Sequence, residues 1–81
     1  MRSMKTVTFY TKQECGLCRK AETILRQVAS STPFQWVTVD IAQDPRAFRK
    51  YGLDIPVVLI DGVEHARHAL DEQALRRALQ S

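Results

Sequence analysis

The chain has 81 residues, 44% of them hydrophobic and 26% charged, with two cysteines and a net charge of +3. At this length about 60–65% of the unfolded surface can be buried, which supports one compact domain over residues 1–81 and leaves no room for a second. Two cysteines are too few for a disulfide-stapled secreted scaffold, and arginines spread among acids without a basic block read as solvated helix faces rather than a nucleic-acid surface.

The lead Met1-Arg2-Ser3-Met4-Lys5 contains no apolar run long enough for a signal peptide or a membrane span. A monomeric cytoplasmic protein in a reducing compartment is therefore expected. Thr6 to Tyr10 reads as a strand, rich in β-branched and aromatic residues, and Thr11-Lys12-Gln13-Glu14 as the loop that follows. Next comes Cys15-Gly16-Leu17-Cys18. From Leu17 onward Leu17, Ala21, Ile24, Leu25 and Val28 recur at helical spacing, with Arg19, Lys20, Glu22, Arg26 and Gln27 on the other face. Ser30-Ser31-Thr32-Pro33 ends this helix, and Phe34 to Asp40 is a second strand, so a crossover favouring parallel pairing is predicted.

Asp44-Pro45 supplies an N-cap and a first-turn proline for a short helix on which Phe48 and Tyr51 share a face before Gly52 stops it. Pro56 precedes the apolar strand Val57-Val58-Leu59-Ile60, and Asp61-Gly62 is a two-residue turn suited to a type I′ hairpin. Asp71 can cap a last helix with Leu75, Ala78 and Leu79 facing inward and Leu70 stapled against Leu75. Phe34, Trp36, Phe48 and Tyr51 read as core or edge residues. The order is β-α-β-α-β-β-α, an α/β fold with a four-stranded mixed sheet flanked by helices. The dithiol falls at the first strand-to-helix junction, where ligand sites of such sheets lie.

A thiol at a helix N-terminus meets the positive end of the macrodipole and unpaired backbone N–H groups, and both favour the thiolate. In such sites the pKa falls from about 8.5 to roughly 3.5–7.5. Cys15 is thus the expected attacking sulfur, and Cys18, one turn later on the same face and less exposed, the resolving one. Lys12 would lower the Cys15 pKa and Glu14 would raise it. His65 and His68 read as exposed strand-end histidines, because their spacing from the cysteines is far from that of a zinc finger. Two other readings stay open at this point. Two chains could share an iron–sulfur cluster or a copper ion through Cys15 and Cys18, or the dithiol could be inert in a binding module.

Tyr10-Thr11-Lys12 before Cys15-x-x-Cys18, then Ile55-Pro56-Val57 and Asp61-Gly62, make the chain resemble small bacterial glutaredoxin-like proteins of the thioredoxin-fold superfamily over nearly its whole length. The resemblance implies a thiol–disulfide oxidoreductase without metal or organic cofactor, with glutathione as electron donor. It implies that Cys15 is the nucleophile, Cys18 the resolving thiol and Lys12 a charge near the thiolate. It also implies a cis Pro56 adjacent to Cys15, with exposed backbone at Ile55-Pro56 receiving peptide or glutathione disulfides as an added strand. Gly16-Leu17 stands where glutaredoxins carry Pro-Tyr, and Glu14 where thioredoxins commonly carry tryptophan. His65-Ala66-Arg67-His68-Ala69-Leu70-Asp71 replaces the Gly-Gly-x-Ser/Asp-Asp segment that holds glutathione. Arg46, Arg49 and Lys50 lie on the helix that flanks the glycyl carboxylate in glutaredoxins, whereas Asp54 would repel that carboxylate. These departures bring in a thioredoxin reductase-type donor beside glutathione.

Overall fold

The computed structural model describes residues 4–80. Most of the Met1–Lys5 lead, and Ser81, lie outside the described residues. The elements are β1 (Thr6–Thr11), α1 (Gly16–Ala29), β2 (Gln35–Asp40), a 3-10 turn (Ile41–Gln43), α2 (Pro45–Tyr51), β3 (Val57–Ile60), β4 (Val63–Arg67) and α3 (Glu72–Gln80). The sheet order is β2-β1-β3-β4. α1 crosses over between the parallel neighbours β1 and β2, while β3 runs antiparallel to both β1 and β4. The fold is α/β with a four-stranded mixed sheet, as the order of elements predicts, and thioredoxin-like, as the resemblance implies.

Alternation along β1 assigns the two faces of the sheet. Thr11 lies on the same face as Val7 and Phe9 and borders one cavity with Cys18, Arg19 and Glu22 of α1, so α1 covers that face, with α3 packed beside it. Tyr10 points the other way and stacks on Tyr51 of α2, ring centroids 4.5 Å apart. Val7, Phe9, Leu25, Val28, Val57, Val58 and Leu75 are fully or almost fully buried and join both layers in one core.

Local chemistry explains where the elements begin and end. The Asp44 carboxylate accepts from the N–H groups of Arg46 and Ala47, both at 3.1 Å, with Pro45 in the first turn. Asp61 (φ 50) and Gly62 (φ 83) are both left-handed, as a type I′ hairpin requires. Asp61 also ties the hairpin to the start of β1, its side chain accepting the Thr6 N–H at 2.9 Å. Asp71 caps α3 through the Ala74 N–H at 3.0 Å, and Leu70 and Leu75 are both buried on either side of that cap.

Several expectations are corrected. β1 runs one residue further, to Thr11, so the active loop starts at Lys12; α1 starts at Gly16 and β2 at Gln35. The 3-10 turn, capped by Asp40 and burying Ile41, was not anticipated, because three residues are too few to show a period. Leu17, assigned to the apolar face of α1, is 50% exposed: in the first turn it projects past the sheet. Phe48 is 57% exposed while Tyr51 is buried, since a three-residue step on a helix leaves them about 60° apart and one alone meets the sheet. Among the described residues no helix is long and apolar enough to cross a membrane.

Candidate active site

Cys15 is itself the N-cap of α1, with extended backbone (φ −121, ψ 110), and its Sγ accepts the N–H of Cys18 at 3.2 Å. A sulfur here does what a serine or aspartate oxygen does at other helix starts: it receives an orphan donor of the first turn. Burial acts to raise the Cys15 pKa. The hydrogen bond from the Cys18 thiol, the backbone N–H groups of Cys18 and Leu17, and the charge of Lys12 outweigh it, and the net pKa lies below that of an ordinary thiol. Cys18 moves the other way. Burial pushes its thiol up, and donating to Cys15 and facing that thiolate's charge push it further, against the opposing effect of the Thr11 side chain and the Lys12 backbone. Cys15 is half-buried and Cys18 only 2% exposed; neither is in a disulfide.

The Ile55–Pro56 peptide is cis. Val57 pairs with Tyr10, so Pro56 stands one step beyond, at the end of the sheet from which β1 delivers the Lys12–Cys15 loop. Of the backbone expected to be open at this edge, the Pro56 carbonyl is already taken and the Ile55 peptide groups are not. Ile55 and Pro56 are both buried, and the Pro56 carbonyl accepts the His68 N–H at 2.8 Å. The N–H and C=O of Ile55 enter no backbone hydrogen bond among the described residues.

A family model for the glutaredoxin-like domain (DUF836) matches residues 6–80. The chain belongs to this glutaredoxin-like family. It is 30% identical over 79 residues to the uncharacterized protein Rv0508 of Mycobacterium tuberculosis, covering 91% of this chain and 81% of that one. The solution structure of Ne2328 from Nitrosomonas europaea superposes with a TM-score of 0.82 at 20% identity, covering 98% of this chain and 95% of the other. A thioredoxin variant from Halobacterium salinarum gives 0.72 at 20% identity over 94% and 72% of the two chains. Both structures share the thioredoxin fold.

Next to the cis-proline edge, this glutaredoxin-like chain carries a charged cluster that the sequence reading missed. Arg67 bonds Asp54 through Nη1 at 2.8 Å and Glu64 through Nε and Nη2, both at 2.7 Å. His68, left-handed at φ 70, adds its ring Nε2 to Asp54 at 3.0 Å. The hydrogen bonds from Arg67 hold the Glu64 carboxyl below the usual range. The Glu64–Arg67 spacing was visible in the sequence, but Asp54 enters only through the pairing of β3 with β4. His65 is half-buried in β4. Among the described residues no three His, Cys, Asp or Glu side chains are gathered where they could hold a metal ion, so the histidines do not complete a set with the cysteines.

Two open cavities flank the sheet. Arg46 and Lys50 of α2 border one of about 260 Å³ floored by Tyr10 and Tyr51, with Lys50 Nζ 5.3 Å from the Tyr51 ring centroid. The other, about 410 Å³, lies between α1 and β2 and is bordered by Cys18, Thr11, Lys12 and Asp40. It sits across β1 from the Ile55–Pro56 edge and reaches Cys18 but not Cys15. Thr11 was read as a loop residue, and nothing in its local sequence pointed to its place beside Cys18.

Proposed function

We propose that this glutaredoxin-like chain is a thiol–disulfide oxidoreductase that reduces disulfides in a reducing, cytoplasmic setting, as a monomer and without a metal or organic cofactor. The observation that carries this reading is the position of Cys15 Sγ at the α1 N-cap, accepting the Cys18 N–H at 3.2 Å, with its pKa lowered while that of its neighbour is raised. The Cys15 thiolate attacks a substrate disulfide, forming a mixed disulfide and releasing one thiolate. Cys18 then attacks Cys15, forming the intramolecular disulfide and releasing the second half of the substrate. Ile55, with its peptide groups unpaired beside the cis-proline, offers one donor and one acceptor to an extended substrate chain. Lys12 adds positive charge on the thiolate side.

Protein disulfides are the proposed substrates, and a thioredoxin reductase-type protein the proposed donor in preference to glutathione. Two features support this. Asp54 places a carboxylate next to Ile55, and the Arg67 guanidinium and the His68 ring beside it are already engaged by Asp54 and Glu64, which leaves them unavailable to a ligand carboxylate. The mechanism is tested with insulin disulfides and dithiothreitol: Cys15→Ser abolishes reduction, and Cys18→Ser accumulates a covalent mixed disulfide visible by mass. Equal activity in the two variants refutes it.

A further inference from the structure

The resolving sulfur has a proton to lose, and the fold supplies a route for it on the side of β1 away from Ile55. This rests on the roles proposed above for Cys15 and Cys18. In the mixed disulfide the Cys15 sulfur is bonded to the substrate and is no longer a base, so the Cys18 proton needs another acceptor. Cys18 is 2% exposed and borders the 410 Å³ cavity between α1 and β2. The charged groups facing it there are Lys12 and Glu14 from the loop, Arg19 and Glu22 from α1, and Asp40 from β2.

Thr11 and Lys12 border the same cavity as Cys18, and the Thr11 side chain and Lys12 backbone act to lower the Cys18 pKa. Thr11 is the register partner of Asp40, so the two side chains leave neighbouring strands roughly 4.8 Å apart on the face that α1 covers. The three carboxylates differ in what they already hold. Glu22 is engaged by Nε and Nη2 of Arg26, and Glu14 is exposed on a left-handed turn. Asp40 spends Oδ1 on the Ala42 N–H at 2.9 Å and keeps its second oxygen. A hydroxyl both donates and accepts. That of Thr11 rests on a long 3.4 Å bond to the Lys12 carbonyl, from which a rotation about its C–O bond releases it.

We propose that Thr11 and Asp40 form the proton exit of the resolving step. The Thr11 oxygen accepts the Cys18 proton as its own hydrogen passes to the Asp40 carboxylate, directly or through a water in the polar cavity. The Cys18 S–H bond breaks and the Cys15–Cys18 bond forms. The bond from Cys15 to the substrate sulfur breaks, and the substrate departs as a thiolate with the electron pair. The substrate disulfide is the oxidant throughout, and the proton held by Asp40 returns to solvent.

A single-turnover reaction of the reduced protein with 5,5′-dithiobis(2-nitrobenzoate) separates the steps. The first thiobenzoate release reports attack by Cys15, the second resolution by Cys18. Asp40→Asn retains the Oδ1 acceptor for Ala42. It is expected to leave the first release unchanged and to slow the second by about a hundredfold near neutral pH. The defect should shrink as pH rises and direct ionisation of the thiol takes over. Thr11→Val slows the second release in the same way; Glu22→Gln does not. The proposal is overturned if Asp40→Asn and Thr11→Val leave the second release unchanged at every pH, if Glu22→Gln reproduces the defect, or if Asp40→Asn slows both releases alike. A wild-type protein giving no second release would instead defeat the oxidoreductase reading itself.

Discussion

Cys15 and Cys18 stand three residues apart, yet the fold shifts their acidities in opposite directions, because the N-cap sulfur receives backbone donors and the other is enclosed by the core. The sign of each shift fixes its pH dependence. With its pKa lowered, Cys15 is thiolate at pH values where a free thiol is still protonated, so iodoacetamide should modify it below the pH at which it modifies a free cysteine peptide. Cys18 should resist until more alkaline pH, and mapping the alkylated peptide against pH checks both. Lys12→Ala removes the supporting charge. Since that charge is exposed and screened, alkylation of Cys15 near neutral pH is expected to slow by only about two- to fivefold, and to lose its salt dependence. The placement of the two sulfurs at a helix start was legible in the sequence because helical spacing and the helix N-terminus are local facts. Thr11 and Asp54 were not: each gains its partner through a strand register that local sequence does not encode.

The elements were read well wherever a cap or a period announced them. Asp44, Asp61-Gly62 and Asp71 all act as their residue types predict. Gly52 ends α2 as expected, but for a different reason. Its backbone is right-handed (φ −56), and what demands glycine is proximity: a Cβ there would lie 2.5 Å from the Phe48 carbonyl oxygen. Gly52→Ala therefore has to push backbone aside and is expected to cost about 1–3 kcal/mol, read as a lower urea midpoint. Asp44→Ala removes the acceptor for two N–H groups at the other end of the same helix and should cost about 1 kcal/mol. Because α2 carries Tyr51 onto Tyr10, and Tyr10 leads into the active loop, both variants should also loosen the dithiol. Faster alkylation of Cys18 in the native state would report it. The 3-10 turn and the outward Phe48 escaped the reading because a seven-residue helix makes too few turns to fix which flank meets the sheet.

For the whole molecule, the parallel β1–β2 pair and the β3–β4 hairpin followed from one strand–helix–strand crossover and one two-residue turn, each marked by its own residues, while the antiparallel join of β1 to β3 was not marked locally. What the pattern could not supply is how far the core depends on its last element. α3 is nine residues long and mostly half-exposed, yet it packs beside α1 and adds one fully buried side chain, Leu75, to the core. A domain of this size has about 5–15 kcal/mol of stability in all, and truncating a buried leucine removes about 2–5 kcal/mol, more where the surroundings cannot collapse into the space. Leu75→Ala is thus expected to lower the melting temperature by roughly 10–30 °C, whereas Leu53→Ala, at a side chain 96% exposed, should stay within about 0.5 kcal/mol of wild type. Urea unfolding followed by Trp36 fluorescence measures both. If the two variants unfold alike, α3 is an appendage rather than a wall of the core, and the burial of the Cys18 face of α1 must then be maintained without it.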